Sequence, residues 1–166
     1  MPMNPSIAEH RIVGRRVITE TDTDDVIHDS LEHPTMALIG RFLMAAIFVV
    51  SGVGKLTDIA GTAAHMTQAG IPYAETLAMV AGIAELAGAF AIATGFLTRA
   101  GGLGLILFMI PATVIFHAFW KATGDQRLPQ IVNFMKNLAI IGGLATLVAF
   151  GAGRFSIDHA LHRARR

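Results

Sequence analysis

Four ionisable residues stand where such groups are costly: Lys55, Glu85, His117 and Lys136 lie within or at the rim of strongly apolar segments. A charge in hydrocarbon needs a counter-charge, a polar cavity or a function, and this makes each a site candidate by default. Glu85 is the most demanding. It lies twelve residues from either end of the apolar stretch 73–97, roughly 18 Å inside at the helical rise. A carboxylate at that depth either takes up a proton or is matched by a cation or by hydrogen-bond donors. Lys55 closes the motif SGVGK, His117 sits in PATVIFHAFW, and Lys136 sits in FMKNLAIIGG. Asn133, Lys136 and Asn137 fall at i, i+3 and i+4, on one helical stripe. Thr113, four residues before His117, faces the same side as that histidine. Cations and neutral donors around a single carboxylate would favour an anionic or hydrogen-bond-accepting ligand, to which His117, Lys136 and Glu85 could supply hydrogen bonds and a proton exchanger.

The elements that must position these groups are apolar helices. The composition is 53% hydrophobic and 15% charged, with a mean hydropathy of +0.56. Soluble domains carry about 25% charged residues, so the chain reads as an integral membrane protein. Four spans are expected, at about 36–54, 73–97, 100–120 and 131–151. The predicted fold is therefore all-α, an integral membrane four-helix bundle (36–153) with a polar N-terminal extension (1–35) and a basic tail (154–166). Pro34-Thr35 opens the first span, Gly70-Ile71-Pro72 marks the entry to the second, and Pro111 interrupts the third. A short interfacial helix is expected within 61–68. Ala87, Ala91 and Gly95 recur every four residues as a ridge of small side chains for close helix packing. Arg41 and Arg99 read as interface anchors, with snorkelling as the simplest account of Arg41.

Residues 1–35 lack a signal-peptide core: Arg15-Arg16 is followed by Glu20, Asp22, Asp24, Asp25, Asp29 and Glu32 instead. The segment reads as a solvated polar arm, with a weak extended signal over 13–21. With Arg41 set aside, Lys and Arg count to eight on the side of the termini and to three or four, with Lys136, on the other. The positive-inside rule then predicts both termini in the cytoplasm. Lys55, His117 and Lys136 would share one level on the opposite side, with Glu85 below them.

The net charge of +1 gives no footprint for nucleic acid. The absence of cysteine excludes disulfides and thiol chemistry by this chain itself. A haem held by two intramembrane histidines is disfavoured because only His117 falls in a predicted span, and no metal site is expected.

Arg41 with SGVGKLTD, then AGIP, AELAG, GFLTR, PATVIFHAFW and FMKNLAIIGG stand in an order that resembles the DoxX family of small bacterial membrane proteins. The likeness runs from about residue 39 to residue 156 and leaves the N-terminal arm uncovered. It implies a four-helix inner-membrane protein and an association with quinone-linked oxidoreductases and membrane redox complexes. Two functions follow as expectations. One is a membrane subunit that docks to a redox assembly and forms a quinone pocket among its spans, in contact with lipid. The other is a non-catalytic assembly subunit in which the polar set only fixes helix register. A transporter is disfavoured because four spans leave little room for alternating access and show no inverted repeat.

Overall fold

A computed structural model describes residues 34–165. The expectations for the N-terminal arm, including the extended piece over 13–21, lie outside the described residues. Six α-helices follow one another: α1 (Pro34–Thr57), α2 (Ile59–Gln68), α3 (Ala74–Thr94), α4 (Thr98–Phe116), α5 (Arg127–Phe150) and α6 (Ile157–Ala164). There is no strand among the described residues. Helices α1, α3, α4 and α5, the last with the 3₁₀ turn Gly124–Gln126 before it, are long and apolar enough to cross a membrane.

Large apolar side chains such as Phe42, Leu43, Val50, Phe90, Leu107 and Phe150 point outward. The interior is apolar too and includes Ala45, Phe48, Ala89, Ile92, Leu105, Met109 and Leu144. Apolar side chains both inside and outside suit a bundle solvated by lipid, where helices associate through close backbone approach. Helix α1 packs extensively on α3, and α4 packs on α5 and on α3, while α1 and α5 barely approach each other. Glycines set the tight crossings. A Cβ on Gly52 of α1 would lie 2.9 Å from the carbonyl oxygen of Gly82 on α3, and one on Gly101 of α4 would lie 2.6 Å from the Ala91 side chain.

Ala91 therefore does serve a close crossing, but Ala87 is exposed. Gly95 is the left-handed cap of α3, with φ 70°. The four-residue ridge expected from the sequence is thus replaced by Gly82, Gly88 and Ala91, because α3 is contacted on two faces by different helices. Gly95-Phe96-Leu97 forms a tight link, and Leu97 also adopts a positive φ of 51°. Thr98 opens α4, two residues earlier than expected, and α4 ends at Phe116, so that His117 follows the helix instead of lying within it. Pro111 sits inside α4. Helix α5 starts at Arg127, with Pro129 in the first turn, where the missing N–H breaks no ladder bond.

Candidate functional site

The close Gly52–Gly82 crossing brings the polar faces of α1 and α3 together. Ser51 and Lys55, one turn apart on α1, both reach Glu85 on α3. The Lys55 Nζ donates to both Glu85 carboxylate oxygens, at 3.1 and 3.0 Å, and to Ser51 Oγ at 2.6 Å. Ser51 Oγ in turn donates to Glu85 Oε1 at 3.2 Å. Glu85 is only 4% exposed, whereas the Lys55 side chain keeps 23% of its surface. The pair thus has one buried partner and one at a rim, and the mid-span carboxylate is compensated within the chain.

A second polar set stands on α4 and α5. Asn137 Nδ2 donates to Thr113 Oγ1 at 3.0 Å, and Thr113 Oγ1 donates to the Met109 carbonyl at 2.7 Å, one turn back and two residues before Pro111. His117 Nδ1 lies 3.1 Å from Gln130 Oε1. With the amide oxygen as acceptor, Nδ1 carries the proton, and neutral His117 then presents Nε2 as an acceptor.

A cavity of about 650 Å³ separates the two sets. Lys55, Ser51 and Glu85 line one wall and Asn137 and His117 another, with Thr62, His65 and Met66 of α2 at one end and Phe48, Phe108, Met109, Phe116 and Ile140 completing a mostly apolar enclosure. Its size is within the range of small-molecule sites, and a few convergent polar groups in an apolar wall are what such sites have in common.

Of the residues expected from the sequence, Lys55, Glu85, His117 and Asn137 line this cavity, and Thr113 supports Asn137 from behind. Lys136 does not: it is exposed, and Asn133 is half-buried outside the lining. The reason is helical geometry, since adjacent residues differ by about 100° in direction, and α5 turns its Asn137 edge inward. The expected excess of cations is thereby corrected to a charge-balanced site, with Lys55 matched by Glu85. Sequence reading missed Ser51, His65 and Gln130. The i, i+4 spacing of Ser51 and Lys55 was a usable signal, whereas Gln130 and His65 sit in connecting or end segments with no apolar context to single them out.

The other end of the bundle holds a separate polar lock. Arg41 is 2% exposed. Its Nη2 donates to the Phe155 carbonyl, and Nε and Nη1 have no hydrogen-bond partner among the described residues. Asp158, in the first turn of α6, accepts from the Leu97 and Thr98 amides at 2.9 and 3.0 Å and from Thr98 Oγ1 at 2.9 Å, while its own amide donates to the Gly95 carbonyl at 2.8 Å. Burial opposes the Asp158 carboxylate, but those donors and the Arg41 charge outweigh it and hold its pKa below the usual carboxylate value. Arg41 is thus a buried structural residue and not a snorkelling one. Arg99 reaches the Ala149 carbonyl at 3.4 Å. These contacts tie α6 and the end of α5 to the α3–α4 link.

The chain is thus an all-helical bundle with four membrane-length helices and a polar pair linking the first two of them. The DoxX family profile matches residues 36–118, and the chain belongs to the DoxX family. Two relatives from Escherichia coli strain K12 extend the likeness beyond that profile. Inner membrane protein YphA is 34% identical over 75% of this chain and 89% of its own length, and inner membrane protein YqjF is 38% identical over 76% of this chain and 92% of its own. No solved structure matches.

Proposed function

We propose that this protein is an integral subunit of the bacterial inner membrane whose cavity holds the polar head of a quinone-class ligand beside a partner redox protein. The observation that carries the reading is the cavity itself, which gathers polar groups from opposite sides of the bundle around a space of ligand size. A quinone ring needs donors to its carbonyl oxygens, a proton exchanger and apolar walls. The second N–H of Asn137 Nδ2 is a suitable donor, Lys55 Nζ becomes one by exchanging its bond to Ser51 Oγ for one to the ligand, His117 is a suitable exchanger, and Phe48, Phe108 and Met109 would flank the ring. When bound, a quinone supplies two-electron redox chemistry. The chain's own part is to bind and orient the ring and to exchange protons, with electrons coming from the partner. The resemblance to a family associated with quinone-linked oxidoreductases supports the same reading, and the two inner-membrane relatives support the location. The distribution of Lys and Arg supports an orientation with both termini in the cytoplasm and the Lys55 end of the cavity on the other side.

A second reading has its own support: Lys55, Ser51 and Glu85 satisfy one another, as do Asn137 and Thr113, so the polar set would also serve to fix helix register in an assembly subunit. Equilibrium binding of a short-tailed benzoquinone to the purified protein in nanodiscs separates the two. The pocket reading predicts saturable binding that weakens at least tenfold in Glu85→Gln and in His117→Ala. Absent binding in the wild type, or unchanged affinity in both variants, would leave the assembly role.

A further inference from the structure

Part of the cavity lining lies on the face that a membrane-embedded chain turns to lipid. Its most exposed apolar lining residues are Val50 and Ile47 of α1, 74% and 50% exposed, on a helix face that membrane-embedded chains turn to lipid. Asn137 and Ile140 of α5 also line the cavity. Between these edges α1 and α5 scarcely meet, although each packs closely on its other neighbour. They do meet lower down, where Met44 lies on Gly143: a Cβ there would be 2.4 Å from Met44 Cε. The seam is therefore closed at Met44 and Gly143 and open beside Ile47 and Val50, directly below the Ser51, Lys55 and Glu85 cluster.

We infer that the α1–α5 seam is a lateral port through which a single-tailed, electrically neutral amphiphile enters from the membrane, its head against Lys55 and Glu85 and its tail leaving past Ile47 and Val50. This rests on the pocket reading and adds the access route and two selection rules. Neutrality follows from charge balance: the Lys55 ammonium is already paired with Glu85, the other titratable groups in the lining are the imidazoles of His65 and His117, which carry no permanent charge, and an anionic head would face the Glu85 carboxylate. A tail is selected because the way out of the cavity is an apolar slot floored by Met44. Phospholipids fit poorly on both counts, since a phosphate head is charged and two chains must pass one slot.

The test uses the full-length protein in nanodiscs and two neutral benzoquinones with the same ring, one bearing a ten-carbon chain and one only methyl groups. Val50→Trp narrows the port from its lipid-exposed side, and Phe90→Trp, at a 63% exposed position of α3 away from the cavity, is the control. Val50→Trp is expected to weaken the tailed quinone at least tenfold and the tail-less one less than twofold, with Phe90→Trp changing neither. As a check that needs no variant, a tailed quinone with a diazirine on its chain should label the 44–50 peptide of α1 and the 137–143 peptide of α5 in the wild type. If both quinones bind and Val50→Trp treats them alike, or the label falls on other helices, the port is wrong and the pocket stands. If neither quinone binds the wild type, the pocket reading falls and the port with it.

Discussion

Replacing Lys55 with methionine should be the most informative single change to the bundle. It keeps the length and apolar stem of the side chain but removes the ammonium that sits 3.0 Å from Glu85 Oε2. At that distance and an effective dielectric constant of about 20, the gross attraction is about 5.5 kcal/mol. Desolvation of both ions offsets part of this, and the 23% exposure of Lys55 reduces it further. What Lys55→Met leaves behind is a 4% exposed carboxylate with Ser51 as its remaining donor. Stranding one buried partner costs more than the pair contributes, and a loss of about 3 kcal/mol is expected. The double variant Lys55→Met/Glu85→Gln removes the stranded charge and should recover most of that loss. Reversible unfolding in mixed micelles of SDS and mild detergent, followed by helical circular dichroism, would measure all four corners of the cycle. A Lys55→Met protein as stable as the wild type, or a double variant whose loss equals the sum of the two single losses, would refute the account of Glu85 as a compensated buried carboxylate.

Other consequences can be checked in the same unfolding assay. Because the folded-state pKa of Asp158 is depressed, its contribution is fully present above the unfolded carboxyl value of about 4 and is lost as pH falls through the lower folded value. Asp158→Asn should therefore lower stability by about 1–2 kcal/mol at pH 7 and flatten the decline in acid, and an equally steep acid decline in the variant would contradict the lock at α6. Gly52→Ala should cost about 1–3 kcal/mol, since its new methyl meets the backbone carbonyl of Gly82 at 2.9 Å, whereas Gly104→Ala, with nothing within 4 Å, should be neutral or stabilising. Equal effects of the two alanines would show that the α1–α3 crossing is not set by glycine.

The four spans were legible because each is a long apolar run bounded by proline, glycine or charge, and such runs need no tertiary information to be read. Glu85 and Lys55 were legible for the same reason: a charge stands out against an apolar background. Their pairing was not, because it depends on the α1–α3 crossing at Gly52 and Gly82, whose partners are 30 residues apart in sequence. Lys136 shows the limit in the other direction. A stripe at i, i+3 and i+4 spans a wide arc, and only the packing of α5 on α4 decides that Asn137 turns inward and Lys136 outward. Arg41 is a third case. Its place one turn into a span looked like a snorkelling position, yet the segment that buries it, around Phe155 and Asp158, comes more than a hundred residues later.

The central claim is that the cavity between the Lys55–Glu85 pair and Asn137 holds a quinone-class head. It is tested most directly by irradiating the wild-type protein in native membranes with a ring-azido benzoquinone and mapping the adducts by peptide mass spectrometry. The account predicts adducts on the peptides that contain Phe48 to Lys55, Phe108 to His117 and Asn137 to Ile140, suppressed by excess unmodified quinone. Adducts spread over the lipid-facing surfaces of all four spans, undiminished by competitor, would contradict it.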